Sequence, residues 1–158
     1  SPLYRKTRAV SSVKEIITRL GLALARKWLL TYAVLGSAAP AAAITVLTRA
    51  YSAQRIAEKW HMDSGQSQQY FLAALISGSD MLFGITSKTF LAQLNIHPAI
   101  KHALSHKSGR MADALTIIRG IERGYALQQP ALPSELPYLS CYNIELAEVQ
   151  KRLAEAGS

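Results

Sequence analysis

Trp28–Thr48 reads WLLTYAVLGSAAPAAAITVLT, a run without a single charge, bounded by Lys27 and Arg49. A bilayer takes about 20 residues to cross, so this run is long enough for a membrane helix. Its middle decides against that. Gly36-Ser37-Ala38-Ala39-Pro40 combines a helix stop with a fresh helix start. Alanine dominates the second half and contributes little to insertion, and charged residues continue the helical period on both sides. The run therefore reads as two buried helices joined by a tight turn, with no membrane among the expected partners.

Working outward, the helical period continues in both directions. Ser12 and Glu15 have the spacing of a capping box. Val13, Ile16, Ile17, Leu20, Leu24 and Trp28 follow at helical intervals, with Gly21 as a turn or a close-packing point. Downstream, residues 41–60 predict a helix with Ile44, Leu47, Ala50, Tyr51 and Ile56 on its apolar side. Residues 66–77 predict a second, around Tyr70, Phe71, Leu72, Leu75 and Ile76. A turn is expected at Asp80–Phe83 and a short helix from Ser87 to Leu94. Another helix should start at Pro98, which suits a first turn, and run to Lys107. Arg110–Arg123 is the clearest amphipathic segment, with Met111, Ala114, Leu115, Ile118 and Ile121 inward. Pro130, Pro133 and Pro137 mark an extended loop. A last helix should begin at Tyr142 or Asn143 and end near Ala156-Gly157. No strand pattern, internal repeat or low-complexity tract interrupts this series. The expectation is an all-α chain of about seven or eight helices.

Length and composition agree. At 158 residues with 49% apolar content, the chain can form one domain, residues 1–158, with its own core. Disorder and a disulfide scaffold are excluded, since Cys141 is the only cysteine. The single cysteine suits a reducing, cytoplasmic setting. The net charge is +8, but residues 1–27 hold seven basic residues against Glu15 alone, a local charge of +6. Arg5, Lys6 and Arg8, interleaved with Tyr4, make a patch that could bind nucleic acid or an acidic partner. The same charges could simply keep an apolar domain soluble.

Little else points to chemistry. His102 and His106 fall on one helical face, a spacing that can hold a metal. No carboxylate shares that helix, and Lys101 and Lys107 oppose a cation, so two exposed histidines is the better reading. Gly78–Gly84 lacks the Lys and Ser/Thr of a phosphate-binding loop. Cys141 follows Pro137 in an expected loop with nothing near it to activate a thiolate. Arg119, Glu122 and Arg123 read as a solvated helix face with local ion pairs. No catalytic residue, metal ligand or cofactor site is expected.

The order of motifs resembles the HDOD family, a group related to the HD phosphohydrolases. Ser1-Pro2-Leu3-Tyr4, the Ser-led segment Ser11–Gly21 and Arg26-Lys27-Trp28-Leu29-Leu30 are similar to its opening. Phe71–Ile76 resembles the helix that ends in His-Asp in HD enzymes. Leu94–Leu104 and Ile117–Gly124 look like its later segments. The resemblance covers nearly the whole chain and is closest to HDOD domains attached to EAL domains.

That resemblance implies an HD-like helical bundle whose metal ligands are lost. The His-Asp pair would fall at Ser77 and Gly78, and the first His near Thr45. A hydroxyl and a glycine cannot hold a hard divalent cation. It further implies that helices of the family are missing at the N-terminus, and that the exposed apolar surface could form a homodimer. The expected function is a non-catalytic regulatory or protein-interaction domain in bacterial signalling, linked to cyclic-di-GMP through an attached EAL domain. The alternatives are a nucleic-acid-binding module and a residual HD-type phosphohydrolase. Candidate interaction residues are Arg5, Lys6 and Arg8, and a vacated pocket near Ser77, Asp80 and His106, with His102 one turn from His106.

Overall fold

Pro40 is the first residue of α1 (Pro40–Lys59), the fresh start its context predicts. Proline suits this place because its fixed φ matches the helix and its missing N–H would have no partner there. The computed structural model describes residues 40–84, 86–93 and 96–156. Arg5, Lys6, Arg8 and the stretch from Trp28 to Ala39 lie outside them. After α1 come α2 (Ser64–Ser77), α3 (Ser79–Phe83), α4 (Ser87–Gln93), α5 (Pro98–His106) and α6 (Arg110–Leu127). A 3-10 turn (Leu136–Tyr138) then leads into α7 (Leu139–Ala156). All regular structure among the described residues is helical, as the periodicity requires. None of these helices is long and apolar enough to cross a membrane.

α1 is the axis of the bundle, with α2, α7, α6 and α3 packed around it. Its buried face is rich in small residues: Ala43, Ala50, Ala53 and Ala57 accompany Val46, Leu47 and Ile56. Small side chains let α2 approach closely through Ala73 and Ala74, while Phe71 and Ile76 fill the remaining space. Each large apolar side chain buried this way contributes about 1.5–3 kcal/mol. Tyr51 meets Phe71 edge-on at 5.0 Å between ring centres, a favoured aromatic geometry. At the far end of α1, Trp60 donates its indole N–H to Tyr138 Oη at 2.8 Å and packs edge-on against Tyr70. Trp60 thereby joins α2 and the 3-10 turn to the axis.

The structure corrects several boundaries, each for a local reason. α2 begins at Ser64 rather than residue 66, because Asp63 accepts from the Gln66 N–H and the Gln66 side chain accepts from the Asp63 N–H. The expected turn at Asp80–Phe83 is a short helix closed by Gly84. α6 continues past Arg123 to Leu127, where Gln128 turns left-handed and donates to the carbonyls of Gly124 and Tyr125. α7 begins at Leu139, since the 3-10 turn winds directly into it. Cys141 is therefore a buried helical residue, not a loop thiol.

Gly78, between α2 and α3, has an ordinary φ of −102°, so backbone freedom does not explain it. Space does: a Cβ there would lie 2.5 and 2.7 Å from the two methyls of buried Val46. Gly78→Ala is expected to destabilise by about 1–3 kcal/mol through overpacking. Adding Val46→Ala should cost less than the two single changes summed. Urea denaturation measures both; strict additivity would show that this contact does not limit helix approach.

Candidate functional site

The site begins with a charge in the core. Arg49 is 3% exposed on α1, one turn after Thr45. A buried guanidinium needs partners for its donors, and three elements supply them. Nε and Nη2 donate to Glu122 on α6 at 2.8 and 2.9 Å, a two-pronged ion pair. Nη1 donates to Ser77 Oγ at 2.9 Å, at the end of α2, and Nη2 lies 3.9 Å from Met81 Sδ on α3. The Ser77 hydroxyl donates onward to the Ala74 carbonyl. One side chain thus ties α1, α2 and α6 together.

Tyr142 of α7 lies beside this clamp. Burial pushes its phenol up to about 12; the negative charge of Glu122 adds to the rise and Arg49 opposes it.

Ser77, Gly78 and Thr45 are the positions where the HDOD resemblance places lost metal ligands. Ser77 is an Arg49 partner, Gly78 is pressed against Val46, and Thr45 is half-buried on α1. Among the described residues no three His, Cys, Asp or Glu side chains are grouped to hold a metal.

Ser77 also borders a cleft of about 700 Å3 formed by α4, the end of α5, α6 and the loop after α6. Lys88, Lys107, Arg119 and Arg123 line it, together with Glu135. Sequence expects Glu122 to neutralise the neighbouring arginines of α6. The structure turns Glu122 inward to Arg49 instead, and no described ion pair includes Arg119 or Arg123. A buried cation outcompetes exposed ones for a carboxylate, because its pairing is screened least.

Glu135 is the residue that sequence reading missed. It lies in the proline-marked loop, yet it is only 6% exposed. Oε1 accepts from the Leu132 N–H at 3.0 Å. Its carboxylate rests against Gly120, where a Cβ would overlap Oε2. Gly120 was the available signal, since a glycine inside an amphipathic helix costs about 1 kcal/mol and implies a close approach.

The remaining candidates lie apart from the clamp. His102 and His106 are exposed, with ring centres 4.7 Å apart, and His102 Nε2 is 3.0 Å from Ser108 Oγ. They border a separate depression with Lys101, away from the cleft that Ser77 borders. Asp80 is exposed in the first turn of α3. His97 caps α5, its Nδ1 accepting from the Ala99 N–H. No family model, curated protein or solved structure matches the chain.

Two outcomes follow from the clamp. Arg49→Met strands the carboxylate of Glu122 in a mostly buried place and is expected to cost about 3–5 kcal/mol. Arg49→Met with Glu122→Leu should recover most of that loss in urea denaturation. For Tyr142, the folded value lies above the ordinary 10.0, so its contribution is complete below about pH 10 and is lost as pH rises toward 12. Tyr142→Phe should flatten stability over that window; an unchanged alkaline decline would show that other groups cause it.

Proposed function

We propose that this chain is a non-catalytic regulatory domain of the HDOD type, acting in bacterial signalling through protein contact. An attached EAL domain is the leading partner, and the cytoplasm the expected setting. Arg49 carries the reading. In an HD hydrolase the equivalent helices would bring anionic and imidazole ligands to a divalent cation. Here a fixed guanidinium bonds to Ser77, and a positive charge held at that place opposes a second cation. The scaffold keeps a helical bundle while its central polar interaction serves packing.

The surface supports a binding role as well. Tyr125, Leu127, Leu132 and Leu136 are each more than half exposed, and all fall between the end of α6 and the 3-10 turn. Large apolar side chains concentrated on one connection are what a protein partner covers. The exposed Tyr125 hydroxyl donates to Asn143 of α7, which holds that ring in place.

The experiment is a hydrolysis assay of the purified chain with cyclic-di-GMP and manganese or magnesium, alongside metal analysis of the protein. Turnover at the no-protein background is expected. Hydrolysis together with stoichiometric bound metal would overturn the reading. The coding sequence immediately upstream tests the signalling context: an EAL domain there is the expected neighbour, and a different domain would overturn the link to cyclic-di-GMP.

A further inference from the structure

We infer that the cleft bounded by α4, α5 and α6 binds a small phosphorylated molecule with an aliphatic body. This goes beyond the regulatory reading and does not depend on which protein the domain contacts.

Charge is the first argument. Residues 40–156 contain eleven Lys and Arg against nine Asp and Glu. Four of those eleven, Lys88, Lys107, Arg119 and Arg123, line this single cleft, and Glu135 is the only acid among its described lining residues. All four cations are exposed. None takes part in an ion pair among the described residues. Arg119 and Arg123 are one turn apart on α6 and face the same opening. Like charges held this close repel one another, and a bound anion relieves the repulsion. Guanidinium groups grip phosphate oxygens in pairs.

Shape and wall chemistry supply the rest. The volume of about 700 Å3 is in the range of small-molecule sites, about 300–1,000 Å3. Leu104, Leu115, Ile117 and Leu132 form apolar wall. No aromatic ring is among the described lining residues, so a nucleobase finds no stacking platform there. Glu135 is the buried polar group of the wall. Its negative charge keeps the phosphate out at the cationic rim and leaves the interior to the body of the ligand. A hydroxyl or amide on that body could donate to the carboxylate.

Isothermal titration of the whole chain tests this with octyl phosphate, AMP and inorganic pyrophosphate as probes. Octyl phosphate is expected to bind more tightly than the other two. Arg119→Ala with Arg123→Ala should weaken octyl phosphate binding by about tenfold or more. Arg152→Ala, outside the cleft, should leave it unchanged. Lys88→Ala with Lys107→Ala gives an independent pair, and thermal melts confirm that each variant is folded. No binding of octyl phosphate at about 1 mM would overturn the site. So would equal affinity in both paired variants, or a loss in Arg152→Ala as large as theirs. AMP binding more tightly than octyl phosphate would overturn the aliphatic body and assign a nucleotide in its place.

Discussion

The bundle depends on a guanidinium almost wholly removed from water. Arg49 is enclosed by α1, α2, α3 and α6 and spends its donors on Glu122 and Ser77. Burying an ion pair gives little net stability over an apolar alternative, but leaving either partner alone is costly. The consequence is positional: α1, α2 and α6 can settle only where all these bonds close together. Helix packing by apolar faces alone would tolerate small sliding. A two-pronged ion pair with a hydroxyl as third partner does not.

Close approach is the second condition for that geometry. The alanines of α1 and α2 let their axes come near, and Gly78 lets the chain turn against Val46. A larger residue at either place would move Ser77 away from Arg49. Local packing and the buried polar network therefore specify the same arrangement, a consistency expected of a sequence with one native state.

The clamp also shapes the surface. By drawing Glu122 inward it removes the carboxylate that α6 would otherwise offer to Arg119 and Arg123. Those cations then stand over a cleft whose inner wall holds Glu135 against Gly120. A core interaction and a charged cleft are thus two results of one choice of partner. The apolar surface at the connection from α6 to α7 meets this cleft at Leu132, and the proposed protein contact rests on that surface.

Periodicity made the helices legible, because burial on one face leaves a repeat near 3.6 that survives in any one-dimensional reading. Met111, Ala114, Leu115, Ile118 and Ile121 are all buried on α6, as their spacing requires. Caps were less legible. Asp63 and the 3-10 turn before Leu139 act through hydrogen bonds that composition does not announce. The clamp was not legible at all: Arg49 and Glu122 are 73 positions apart, and nothing local distinguishes a buried arginine from an exposed one. Glu135 was only half legible: Gly120 signals a close approach on α6, but nothing among the prolines names the residue that makes it. Sequence by itself determined an all-α chain, the main helices and their inward faces, since these follow from short-range sterics and hydrophobic spacing. Only the tertiary structure decided which charges pair and which remain free, because pairing is set by distance and burial in three dimensions.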